Sequence, residues 1–315
     1  QEYALIKKLT SIDDIHTRTL IHTRWCVYRW STMASELVKC WEDASTKATT
    51  NLDTVGVTFD RRRNVICPDI PDERLPLLKE LLQLAEADVD AGSPKEVTEM
   101  MLGQASLDRF LRARHDDVRK AHKMFKSALL WRLEQRPDLI SCITNHSLLI
   151  TPDELKVEGA TGKVRHGRIN NAIDQHGRPV LILDNTVENT KELEKQMAYM
   201  VFHVERLFKK MRHGVEKHVV FIHLSDFSLW NTPSMKSTKT SIDVMANLNP
   251  ERLGNCILFQ PPTYFHALLS SVKLFIDKVT MSKVIILTGD YSPGTKPDKI
   301  MTEIIGVDWK EMCGV

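Results

Sequence analysis

Twelve histidines, six cysteines and 41 aspartates and glutamates give this 315-residue chain ample material for chemistry, so spacing decides what they could do. His213, His218 and His223 recur at intervals of five. On a strand, positions five apart point to opposite faces, so His218 and His223 cannot converge on one metal ion. The expectation is isolated polar or packed histidines and no metal site. Cys26, Cys40, Cys67, Cys142, Cys256 and Cys313 are scattered without a Cys-x-x-Cys pair, which favours free thiols in a reducing compartment over a disulfide framework. No glycine-rich dinucleotide or P-loop fingerprint is present. Gly289-Asp-Tyr-Ser-Pro-Gly294 lacks the spacing of a serine nucleophile elbow. A dispersed Ser, His, Asp set leaves no spacing to read and stays open at this point. No catalytic residue is nominated, and the reading is that the chain is not an enzyme.

The C-terminal third carries a different pattern. Pro250-Glu-Arg-Leu-Gly254 leads into the apolar run Asn255-Cys-Ile-Leu-Phe259, followed by Pro261-Pro262. After that pair Phe265, Leu268, Leu269, Val272, Phe275 and Ile276 recur at helical spacing. Such a stripe alone is more often core than ligand site. A proline pair directly after a strand defines a helix entry. A helix hinged between that pair and a turn at Lys278 to Ser282 could swing as a lid over an apolar cavity.

Composition narrows the function classes. The 43 basic and 41 acidic residues leave a net charge of +2, against a nucleic-acid-binding protein but compatible with a local basic patch facing a membrane. At 42% hydrophobic and 27% charged residues, the chain suits one large domain or two modest ones. No run of apolar residues is long enough for a transmembrane helix. The start at Gln1 shows no signal-type apolar region, although a processed terminus leaves room for a targeting segment. The expectation is a cytoplasmic protein that associates peripherally with membranes.

The elements that must position these residues divide the chain into 1–74, an extension of unknown role, then 75–140, a helical subdomain, and 141–315, a strand-and-helix domain. In the extension, Trp25, Trp30 and Trp41 could dock a partner, a helix reaches towards Lys47, and Arg61, Arg62 and Arg63 read as solvated surface. Leu75, Leu78, Leu81, Leu82 and Ala85 form one helical face. Ser106 is placed to cap a second helix carrying Leu107, Phe110 and Leu111. A third carries Val118, Ala121, Met124, Phe125, Ala128, Leu129 and Trp131 until Pro137 closes it. Strands are expected at 178–184, 218–224, 255–259 and 283–287. A long helix is expected over 191–212, with Met197, Met200, Val204, Leu207 and Met211 inward. Strands alternating with helices predict a mainly parallel sheet covered by helices.

From about Ser106 to Val315 the chain resembles the CRAL-TRIO lipid-binding family, of the Sec-fourteen phosphatidylinositol transfer type. The resemblance is carried by Leu107-Asp-Arg-Phe-Leu-Arg-Ala-Arg-His-Asp-Asp-Val118 with Ala121 to Arg132, by Asp174-Gln-His-Gly-Arg-Pro-Val180 and by Pro250 to Gly254. The Pro-Pro helix with Thr280-Met-Ser-Lys283, and Gly306 to Gly314, complete the order. It implies an α/β fold, with an N-terminal helical layer followed by a βα sandwich and a mobile lid helix over an apolar lipid pocket. Tyr264, Phe265, Leu268, Leu269, Val272, Phe275 and Ile276 would form the lid and acyl pocket. Two acyl chains expose on the order of several hundred Å² of apolar surface, worth ~25 cal/mol per Å² when buried.

The resemblance also implies that Arg114, Asp174, Glu251, Thr280 and Lys283 read a phosphatidylinositol headgroup, the cations and hydroxyl meeting phosphate or ring oxygens and the carboxylates accepting from hydroxyls. Taken singly, Glu251 and Lys283 read equally well as a structural ion pair. No cofactor is implied beyond the phospholipid itself; the partners would be a membrane surface and a lipid kinase, with no nucleic acid. Some positions depart from the family pattern. His218 and Val220 stand where phosphatidylcholine-binding members place a polar pair, and Val220 cannot donate a hydrogen bond. His223 replaces a strand-end aspartate, Asp277-Lys278 an Asp-Pro, and Gly314-Val315 a Gly-Gly. A carrier of tocopherol, retinoid, sterol or phosphatidylcholine, or a lipid-regulated scaffold, are the competing readings.

Overall fold

The computed structural model describes residues 70–141, 168–184, 193–209, 211, 215–225, 227, 232 and 234–315. The chain divides into two units, Gln1–Phe59 and Asp60–Val315, and all of the described residues belong to the second. The expected helix towards Lys47, the Arg61 to Arg63 triplet and the three N-terminal tryptophans lie outside them.

The helical layer begins with α1 (Leu75–Glu86), which buries Leu78, Leu81 and Ala85. Helix α2 (Lys95–Leu102) follows, and the sequence reading had no counterpart for it. Helix α3 (Gln104–Arg112) starts two residues before the expected cap; Gly103 occupies the N-cap and Ser106 is buried inside the helix. In α4 (Val118–Gln135), the Asp117 carboxylate accepts from the Lys120 backbone N–H and so caps the first turn. Arg136, at φ +46°, ends α4, and Pro137 opens the short α5 (Pro137–Ile140). Phe110 and Phe125 meet edge to face at 5.5 Å and join α3 to α4.

The second layer is a five-stranded sheet in the order β1 (Arg168–Ile173), β2 (Pro179–Asp184), β3 (His218–His223), β4 (Leu253–Phe259) and β5 (Val284–Leu287). Strand β1 runs antiparallel to β2, and the other three pairings are parallel. Helix α6 (Leu193–Lys209) links β2 to β3, and α7 (Met235–Ile242) with a π-helical turn at Asp243–Asn247 links β3 to β4. Between β4 and β5 lie α8 (Phe265–Val272), a 3-10 turn at Lys273–Phe275 and α9 (Lys278–Ser282), so the expected Lys278–Ser282 turn is a short helix. Helices α10 (Lys296–Ile304) and α11 (Trp309–Cys313) close the chain.

Strand alternation sends neighbouring side chains to opposite faces. Val180, Ile182, Val219, Phe221, Ile257, Phe259 and Leu287 pack against Met301, Ile305 and Trp309 of the C-terminal helical region. The alternate residues face the other way, Leu181 and Val220 towards Val204 and Leu207 of α6, and Leu258 towards Leu269 of α8. As the alternation requires, His223 shares the first face, beside Phe221 and Phe259, while His218 lies against Phe208 on the second.

The β1–β2 hairpin gives Asp174 a structural role. Asp174 accepts from the backbone N–H groups of His176 (2.9 Å) and Arg178 (2.8 Å) and from Arg178 Nε (2.6 Å). Gly177, at φ +79°, completes the turn in a conformation that glycine adopts without strain. Arg178 also donates from Nη1 to Asn255 Oδ1 at 2.9 Å, which carries its guanidinium across Gly254. A Cβ at Gly254 would stand 2.8 Å from that Nη1 and 3.1 Å from the His218 carbonyl oxygen. Asp174 is therefore a turn-clamping carboxylate, already engaged by three donors.

Candidate functional site

The second face of the sheet floors a cavity of about 1050 Å³. Leu181, Leu183, Val220, Ile222, Cys256, Leu258 and Val284 form the floor, so all four parallel strands contribute to it. Helix α6 adds Met197, Tyr199, Met200 and His203. Helix α8 adds Phe265, Leu268, Leu269 and Val272, and Ile276 follows from beyond its end. A volume of this size and lining suits a large, mostly apolar molecule. Burial in these surroundings pushes the Cys256 thiol up to about 12, which keeps it protonated and unreactive.

Five of the seven residues expected in the lid and pocket line the cavity, and two do not. Tyr264 stands before the first turn of α8, where its hydroxyl donates to the Phe227 carbonyl. Phe275 was placed inward by extending the helical stripe to Ile276. The chain instead tightens to a 3-10 turn after Val272. A 3-10 turn advances about 120° per residue against 100° in an α-helix, and the stripe is lost. Phe275 is 43% exposed, with Lys239 Nζ 5.5 Å from its ring centre.

One end of the cavity is charged. Glu251 precedes β4, with Lys283 Nζ at 3.9 Å, Lys217 Nζ at 3.4 Å and Arg112 Nη1 at 4.0 Å from its Oε2. Lys217 directly precedes β3 and Lys283 directly precedes β5, so the cluster gathers at the amino ends of three parallel strands. Ligands of open α/β sheets more often bind at the carboxyl ends. Glu251 holds a left-handed backbone, φ +57°, a conformation that concentrates at functional sites. Desolvation lowers the Lys283 pKa, partly offset by the Glu251 charge.

Arg114 and Thr280 also line the cavity. Arg114 donates to the neighbouring Ala113 carbonyl at 2.9 Å. Desolvation lowers its pKa, with Asp277 pulling the other way, so its charge is incompletely compensated. The Asp277 carboxylate accepts from Thr280 N (2.8 Å) and Oγ1 (2.6 Å), capping α9. Burial opposes the Asp277 charge, but these hydrogen bonds outweigh it and hold the pKa below the usual carboxylate range. Arg114, Glu251, Thr280 and Lys283 all line the cavity, while Asp174 is not among its lining residues.

Sequence reasoning missed Arg112, Lys217 and Arg252. Arg112 lies two residues before Arg114 in the same motif, and it also binds Glu216 at 2.7 Å and Asp108 at 2.7 Å. Lys217 was legible as a cation at the start of an apolar strand. Arg252, beside the cavity and 4.8 Å over the Phe208 ring, has its pKa pushed down by burial to about 10. Further from the cavity, buried Arg132 pairs with Glu205 at 2.9 Å and with Asn249 at 2.5 Å, tying α4 to α6 and to the residues before β4. Among the described residues, no three His, Cys, Asp or Glu side chains converge as a metal site, and no helix is long and apolar enough to cross a membrane.

Residues 168–304 match the CRAL/TRIO domain. A CRAL-TRIO domain-containing protein of Schizosaccharomyces pombe is 29% identical over 213 residues, covering 66% of this chain and 20% of its own length. The phosphatidylinositol transfer protein PDR17 of Saccharomyces cerevisiae is 28% identical, covering 56% of this chain and 50% of its own. The SEC14 cytosolic factor of Eremothecium gossypii is 27% identical, covering 60% and 63%. The matched region thus spans less than two thirds of each of these relatives. The crystal structure of Sfh5 shares the fold, with a TM-score of 0.53 at 16% identity, over 72% of this chain and 84% of that one.

Proposed function

From a chain whose residues 168–304 match the CRAL/TRIO domain, we propose a non-enzymatic lipid carrier that holds one phospholipid, phosphatidylinositol, and presents it to membranes or to a lipid kinase. The observation that carries this reading is the joining of a large apolar cavity to a cation-rich end at Arg114, Glu251, Thr280 and Lys283. The acyl chains would occupy the space between the sheet floor and α8. The phosphodiester would lie towards Arg114 and Lys283, with the Thr280 hydroxyl as a further donor. Ring hydroxyls would donate to Glu251, so the ligand's polar groups would enter the pairings the protein now makes internally. Helix α8 would act as the lid; its apolar underside exchanges one apolar environment for another when the ligand leaves. No covalent step is involved, and a peripheral cytoplasmic location follows from this reading.

Transfer of labelled phosphatidylinositol from donor to acceptor vesicles tests the proposal. Faster transfer with the protein than without it supports the reading, and transfer at the spontaneous rate contradicts it. A second reading, a carrier of a neutral hydroxylated ligand such as a sterol, has one observation in its favour: Ser237, Thr238 and Ser241 of α7 line the same cavity. Competition by a sterol but not by phosphatidylinositol would select it.

A further inference from the structure

We propose that Arg252 is an anion-binding residue inside the cavity, where it holds the acid group of the bound lipid, a phosphate ester or a carboxylate. Arg252 directly precedes β4 and lines the cavity. Its guanidinium lies 4.8 Å over the Phe208 ring, in a part of the second face built from Phe208, Met211 and Leu253. Nη1 donates to the Glu216 carbonyl at 3.3 Å and to the Met211 sulfur at 3.4 Å, and neither acceptor carries a charge. Nε and Nη2 make no hydrogen bond to a described residue.

The buried charges nearby pair off and leave Arg252 over. Glu205 is engaged by Arg132 at 2.9 Å and Glu216 by Arg112 at 2.7 Å. Asp108, the other acid at Arg112, is shared with Arg74. Glu216 and Glu205 act on Arg252 only from a distance; among the described residues no carboxylate lies within salt-bridge distance of it. Burial lowers its pKa, but only to about 10, so the group stays charged at neutral pH. A cation withdrawn from water without an opposite charge is costly, and the cavity is the side from which that charge can come. A guanidinium takes phosphate or carboxylate through two parallel N–H bonds, and Nε and Nη2 form such an edge. A neutral sterol or glyceride would leave the charge unanswered. That the anion belongs to a lipid rests on the carrier reading; the unmatched guanidinium does not.

The test is native mass spectrometry of the full chain after incubation with liposomes containing phosphatidylinositol, phosphatidic acid, oleic acid and diacylglycerol, alongside urea unfolding of the delipidated protein. The parent is expected to retain the anionic lipids over diacylglycerol. Arg252→Met should weaken that preference about tenfold or more, the scale of a charge-assisted hydrogen bond, and Arg252→Lys should recover part of it. The urea midpoint of delipidated Arg252→Met should not fall, because the variant removes a buried cation without stranding a carboxylate. A lower midpoint with loss of every lipid would assign Arg252 to packing and overturn the subsite. Diacylglycerol lost in the same proportion as the anionic lipids would also overturn it. Phosphatidylinositol retained equally by Arg252→Met and the parent would overturn the subsite and leave the carrier reading standing. Phosphatidic or oleic acid held through Arg252, with no phosphatidylinositol bound, would do the reverse. Preference of the parent for diacylglycerol would contradict both.

Discussion

Lys283 Nζ lies 3.9 Å from Glu251 Oε2 across the amino ends of β5 and β4, close to Lys217 and Arg112. A lone ion pair at this separation and partial exposure contributes little to stability, about 0–1 kcal/mol. The arrangement is more informative as three cations gathered around one carboxylate, with Arg112 also paired to Glu216 and Asp108. Arg112, Lys217 and Lys283 surround one carboxylate, and Arg114 also lines the cavity. Such a cluster is suited to receive an anion without rearranging the fold.

Arg114→Met should reduce retention of phosphatidylinositol about tenfold or more, the scale of one charge-assisted hydrogen bond. Because, among the described residues, the hydrogen bond Arg114 makes is the local one to Ala113, the urea midpoint should barely move. Equal lipid retention in variant and parent would remove Arg114 from the site.

Asp174→Asn should do the opposite. The substitution weakens a buried carboxylate that serves two backbone N–H groups and Arg178, so stability should fall by about 1–3 kcal/mol while lipid selectivity persists. Loss of lipid at unchanged stability would place Asp174 at the headgroup site instead.

Arg132→Met strands Glu205 as an unpaired buried carboxylate and should cost about 3–5 kcal/mol in denaturant unfolding. Arg132→Met/Glu205→Leu should recover much of that loss. If the double variant is no more stable than the single, Asn249 or the surrounding packing carries the joint instead.

His218 predicts an acid limit. Both ring nitrogens lack a hydrogen-bond partner among the described residues, and burial, with Arg252 adding to it, pushes the pKa from 6.5 down to about 3. Below pH 6.5 the unfolded chain takes up a proton that the folded chain refuses. This residue's contribution to stability is therefore complete above that pH and declines as pH falls, by ~1.4 kcal/mol per unit, down to the folded value. His218→Leu should match or exceed the parent near neutral pH and be less acid-sensitive. Parallel loss of stability in both proteins between about pH 6 and pH 4 would contradict this.

Much of this organisation was legible because burial imposes simple periods on sequence. The apolar runs at β2, β3, β4 and β5 and the face of α4 needed no partner to be recognised. Strand β1 was not legible: Arg-Ile-Asn-Asn-Ala-Ile carries polar residues through a sheet edge, and its pairing with β2 defines it. The departure at Phe275 came from a change of helical type, which residue spacing does not register. The turn-clamping bonds of Asp174 were not read because motif order gives a residue's position along the chain, not its donors; the nearby Gly177-Arg178 pair was the readable sign of a clamped turn. Arg112 and Lys217 could be seen to share a partner only once three strand starts were brought together.

The most direct test is native mass spectrometry of the protein after incubation with liposomes containing phosphatidylinositol and phosphatidylcholine. The carrier account predicts one bound phosphatidylinositol per chain, lost in Glu251→Gln/Lys283→Met although that variant still unfolds cooperatively. Phosphatidylinositol retained by the folded double variant, or phosphatidylcholine or a sterol bound in its place by the parent chain, would contradict the headgroup site.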